Sequence, residues 1–164
     1  MQTYQPQLVP GILQTEAYAR AVIEADKPGT PLQEIDRLVD LRMARQKLLT
    51  RSNPPELWAV MSEAVLRHVV GSCAIMREQL LRLYDARHLA GVTLQTLPFA
   101  GGAHPGMLGP FHLLEFPRPS DTHVAYVEYL TGSMYLEKPE EVRSYRLFLT
   151  IFARLPYRPA RPLR

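Results

Sequence analysis

The chain has 164 residues, 46% hydrophobic and 21% charged, with 19 basic against 16 acidic side chains and a net charge of +3. That length fits one domain, large enough to bury a core without staples. The basic excess is small and scattered, too weak to argue for the concentrated basic face of a nucleic-acid reader. No run approaches about 18 apolar residues and no charged-then-apolar leader opens the chain, so neither a membrane span nor an ordinary signal peptide is expected. The single cysteine, Cys73, permits no internal disulfide and fits a reducing cytoplasm.

Residues 2–8 carry no assigned element. Pro10-Gly11 makes a corner that feeds a helix over residues 12–26, with Thr15 and Glu16 near its start and Leu13, Ala17, Ala21 and Val22 as its apolar stripe. Lys27-Pro28-Gly29 ends it. Thr30-Pro31-Leu32-Gln33 reads as a capping box with proline at the first helical position, opening a second helix to about residue 50. A buried strand is predicted at 57–61, then one or two helical turns from Glu63 to His68. Ser72 is placed to cap a helix over 73–89, with Ile75, Met76, Leu80, Leu83 and Tyr84 facing inward.

The pattern then changes to strands: 92–97, 111–116, 123–129 and a short one at 134–136. Pro139 opens a last helix with Val142, Tyr145, Leu149 and Phe152 at helical spacing. Helices segregated from strands predict an α+β domain over residues 1–155, with helices on a mainly antiparallel sheet of three to five strands. A Pro/Arg-rich tail follows at 156–164.

Little in the sequence carries recognisable chemistry. The five histidines do not pair at metal-ligand spacing, and no C-x-x-C exists, so neither a metal nor another cofactor is expected. The 116/123 hairpin pairs Phe116 with His123, and hence Phe111 with Glu128. Glu115 and Glu128 then share a face about 13 Å apart at a rise of ~3.3 Å, too far for a glycosidase pair. No G-x-S-x-G elbow is present. The loop over 99–110, with Gly101, Gly102, Gly106 and Gly109, is the best local site candidate: its glycines admit a ligand or a partner backbone, and His104 projects from it. Arg20, Arg42, Arg45 and Gln46 form a basic ridge or a solvated face. Trp58, Tyr126, Tyr129 and Tyr135 fit a core better than a ligand platform, with polar partners needed for any buried phenol.

Seven blocks stand in an order that resembles one family. They are VPGILQTEAYARAV at 9–22, LRMARQ at 41–46, SEAVLR at 62–67, MREQL at 76–80, residues 92–99, Gly102-Ala103-His104 leading to Gly109-Pro110-Phe111, and Tyr126-Val127-Glu128. Together they resemble the C-terminal effector domain of WhiJ-like, XRE-family helix-turn-helix regulators of actinobacteria, also described as antitoxin-like. The resemblance spans about residues 4–152. It implies an intracellular regulatory domain, neighboured by a DNA-binding helix-turn-helix and partnered by a small companion protein. It brings no catalytic residues.

Two departures bear on function. The chain opens almost on the signature, with no helix-turn-helix before it, so direct nucleic-acid binding is not expected of this chain. The family's usual ending is replaced by Leu155-Pro156-Tyr157-Arg158 and the Pro/Arg tail. The leading expectation is therefore a cytoplasmic sensing or interaction module that binds a small companion protein or small ligand, compatible with a homodimer. Its expected contact residues are Glu63, Arg42, Arg45, Trp58, Phe99, Gly102, His104, Phe111 and Tyr126. The alternative is a stand-alone enzyme of specialised metabolism, such as a cyclase, with His104, Glu63 and Glu128 as acid–base groups.

Overall fold

A computed structural model describes residues 1–118 and 121–154. The fold is α+β with a six-stranded mixed sheet, one strand more than the upper bound expected. The chain divides into two compact units. One comprises Met1–Leu8, Glu56–Val65 and the residues from Thr93 onward; the other comprises Val9–Pro55 and Leu66–Val92. The Pro/Arg-rich tail at 156–164 lies outside the described residues.

The first unit holds the sheet. Its strands are β1 (Gln2–Gln5), β2 (Leu57–Ser62), β3 (Val92–Leu97), β4 (Phe111–Leu114), β5 (Val124–Tyr129) and β6 (Gly132–Leu136), in the spatial order β3-β2-β1-β4-β5-β6. The strand missed in the sequence, β1, is at the centre. It runs parallel to β2, with Tyr4 opposite Val60, and antiparallel to β4, with Tyr4 opposite Phe111. Polar glutamines flank it, so no apolar run marks it. Its hydrogen bonds come from both neighbours, and the Thr3 hydroxyl donates to Phe111 O at 2.9 Å.

Alternation assigns the two faces. Tyr4, Val60, Phe111, Leu113 and Ala125 share the face that packs against α5 (Pro139–Arg154), whose Val142, Leu149 and Phe152 complete the core. Burying each of those large apolar side chains contributes about 1.5–3 kcal/mol. Thr3, His112 and Tyr126 lie on the opposite face. The β4–β5 register pairs His112 with Tyr126 and Leu113 with Ala125, one residue away from the expected pairing. Since side chains alternate, that slip moves Glu128 to the face opposite Glu115. Glu115 instead accepts from Gln2 Nε2 at 2.8 Å and Arg146 Nε at 2.9 Å.

The second unit is helical: α1 (Glu16–Asp26), α2 (Leu32–Gln46) and α4 (Cys73–Ala86), with the short α3 (Glu63–Arg67) spanning the unit boundary. Ile23, Ile35 and Val39 form its apolar cluster. The first helix begins later than expected, because Gly11–Leu13 is a separate 3-10 turn and Thr15 caps α1 by accepting from Tyr18 N. The expected capping box does not form: Pro31 is the N-cap of α2 and makes no side-chain cap bond. Ser72 caps α4 as expected, accepting from Ile75 N at 3.2 Å. The inward face of α4 carries Gln79 rather than Tyr84, which is exposed.

The segment Val9–Thr15 has little secondary structure, and amide side chains meet its backbone groups. Gln14 Nε2 donates to Val9 O at 2.7 Å, and Val9 N donates to the Tyr18 hydroxyl. Gln79 Oε1 accepts from Thr15 N at 2.7 Å while its Nε2 donates to Leu13 O at 2.9 Å. Gln46 Nε2 reaches Gly11 O and Gln14 O, and Arg42 Nη1 donates to Gln14 Oε1 at 3.0 Å. Three of the sequence blocks thus meet in one buried to part-buried polar network.

Candidate functional site

A cleft of about 400 Å³ opens at the carboxyl ends of β1, β2 and β3, beneath the 99–110 loop. The volume lies in the ordinary range for a small-molecule pocket. Tyr4, Pro6 and Gln7 come from the end of β1, Ser62 from β2 and Leu97 from β3; the loop supplies Phe99, Gly102, His104 and the segment from Gly106 to Pro110. No lining residue is an acid, a lysine or an arginine.

The loop is built from two 3-10 turns, Phe99–Gly101 and Pro105–Leu108. Gly102, at φ +74°, turns the chain between them in a conformation that L side chains rarely adopt. Gly106 is needed for space: a Cβ there would stand 2.5 Å from Tyr4 Cε1 and 2.8 Å from Phe152 Cζ. Its missing side chain lets the second turn sit directly on the core rings. The rim remains open, with Phe99, Met107 and Leu108 exposed by 63%, 67% and 89%.

His104 stands edge-on to two rings. Its centroid is 5.6 Å from Tyr4 and 5.6 Å from Phe152, which themselves stack at 5.0 Å. Burial holds its pKa below the usual histidine range, leaving a neutral ring at pH 7. Its Nδ1 is sealed from solvent without a hydrogen-bond partner among the described residues. The Tyr4 phenol is pushed up in pKa by burial, so it too stays protonated.

Of the residues expected at the site, Phe99, Gly102 and His104 line the cleft together. Glu63 supports it, accepting from Phe99 N at 2.9 Å through Oε2. Phe111 is core, 6.2 Å from the Tyr4 ring, and Trp58 packs partly buried against the same cluster. Tyr126 and Glu128 pair with each other on β5 at 2.7 Å, on the sheet face opposite Tyr4. His104, Glu63 and Glu128 therefore do not share one face as an acid–base set. Arg42 and Arg45 belong to the helical unit; Arg45 is exposed, and Arg42 braces Gln14.

Sequence reasoning missed Tyr4, the floor of the cleft. Its only local signal was a pair of strand-favouring residues, Thr3-Tyr4, between glutamines. Among the described residues no cluster of His, Cys, Asp or Glu can hold a metal ion, and no helix is long and apolar enough to cross a membrane. No curated protein and no solved structure matches the chain. The family described as "Domain of unknown function (DUF5753)" matches residues 1–160, nearly the whole length. The chain belongs to the DUF5753 family.

Proposed function

We propose that this chain is a sensing or interaction module of an actinobacterial transcriptional regulator of the WhiJ-like, XRE-family type. Its cleft takes a small companion protein or a small ligand. The observation carrying this reading is an uncharged cleft whose apolar rim, Phe99, Met107 and Leu108, is exposed. Exposed apolar surface around a concavity is the usual mark of a binding site. The separation of Glu128 from His104 across the sheet favours binding over acid–base catalysis.

Regulation would follow from linkage: a partner that prefers one arrangement of the module shifts that arrangement's population by its differential affinity. The test is complex formation with the small protein encoded beside this gene, read by size-exclusion chromatography and calorimetry. The double variant Met107→Asp/Leu108→Asp, altered only at exposed positions, should keep its melting temperature and lose the complex by at least about tenfold in affinity. A complex indifferent to both aspartates would remove the cleft from the reading.

A further inference from the structure

We propose that the cleft recognises a neutral, largely apolar small molecule bearing a carbonyl-type oxygen, and that the Tyr4 hydroxyl donates to that oxygen. The inference rests on the cleft being the sensing site and specifies its ligand.

Three observations lead there. Tyr4 is 2% exposed, yet its hydroxyl has no hydrogen-bond partner among the described residues. The hydroxyl is also not sealed in protein: His104 Nδ1 is the orphaned buried side-chain atom of the described residues, and the Tyr4 oxygen is not. Tyr4 lines the cleft, and its Cζ lies under Gly106, another lining residue, which puts the hydroxyl end of the ring beside the cleft lining.

The rest of the lining sets the ligand's character. It offers Leu97, Phe99, Met107 and Leu108 as apolar contacts and no formal charge of either sign. A charged ligand would meet no opposite charge there to offset the hydration it loses. A neutral one loses little, and its oxygen can take the Tyr4 donor that no protein group among the described residues uses. The protein's nearest carboxylate in the chain, Glu63, is turned to Phe99 N.

The test uses the full chain with two fluorescent probes. Prodan is a neutral naphthalene carrying a propionyl carbonyl; 8-anilinonaphthalene-1-sulfonate is an anion of similar size. Prodan should bind saturably, at least about tenfold tighter than the sulfonate, and Tyr4→Phe should weaken it about tenfold without lowering the melting temperature. Gln7→Trp, which fills the cleft from an exposed position, should abolish binding. Equal prodan affinity in wild type and Tyr4→Phe overturns the assignment of the donor, and equal affinity for the sulfonate overturns the neutral ligand; in both cases the cleft survives. Prodan binding that is indifferent to Gln7→Trp overturns the cleft reading itself. No saturable prodan binding overturns the proposal, and complex formation with the companion protein then judges the cleft separately.

Discussion

Gln79 holds the backbone on both sides of Gln14: its Oε1 accepts from Thr15 N and its Nε2 donates to Leu13 O. Gln79 and Leu13 are fully buried, so Leu13 O has no water as a substitute, while Thr15 N is only part-buried. Replacing Gln79 with leucine keeps the volume and leaves both groups unpaired. The expected cost is about 2–6 kcal/mol, at about 1–3 for each group left unsatisfied. Urea unfolding measures it; a loss under about 1 kcal/mol would show that the segment finds other partners.

Gly106→Ala should destabilise by about 1–3 kcal/mol, because the new methyl must displace the Tyr4 and Phe152 rings. Gly102→Ala meets no atom within 4 Å and is penalised instead by its φ of +74°. The two variants are told apart by near-ultraviolet circular dichroism. Gly106→Ala alters the aromatic signal and Gly102→Ala leaves it nearly intact.

Stability should fall as the solution is acidified. Burial depresses the pKa of both His104 and His112 in the folded chain, with Glu128 partly offsetting the effect at His112. The unfolded state therefore takes up protons first, below about pH 6.5. The neutral rings' contribution is full above that pH and is lost as pH falls through the folded-state values. Gln5 Nε2 lies 3.3 Å from His112 Nε2, so the ring accepts there, and protonation would set two donors against each other. A His104→Phe/His112→Gln variant should show a flatter melting temperature between pH 7 and 5 by calorimetry. An unchanged slope would reject both histidines as its source.

Glu63→Ala should loosen the entrance to the 99–110 loop while leaving the sheet intact. The carboxylate accepts from Phe99 N at an exposed position, so the global cost is expected near 0.5–1.5 kcal/mol. The local readout is amide exchange at Phe99, expected to quicken at least about tenfold. Exchange at the wild-type rate would mean that the loop holds its place without this bond.

Much of the fold was legible because it is written in local pattern. The 57–61 run, the helix from Pro139 with Val142, Leu149 and Phe152 inward, and the Ser72 cap all follow from spacing and capping chemistry among near neighbours. The loop at 99–110, with Phe99, Gly102 and His104, stood out by its glycines and is where the cleft lies. The β4–β5 register was missed by one residue, since a proline-rich turn does not fix how many residues it consumes.

What the sequence determined by itself was the α+β composition and most helix and strand positions, set by periodicities of a few residues, and the glycine-marked loop that lines the cleft. Tertiary structure decided what no short window contains. β1 is a strand because β2 and β4 supply its hydrogen bonds from 56 and about 110 residues away. Gln79 is buried because Leu13 and Thr15 need its amide. Tyr4 floors a cleft because Gly106, about 100 residues later, has no side chain to block the approach. In each case the stabilising partner is distant along the chain, and only folding brings the two groups within hydrogen-bonding or van der Waals range.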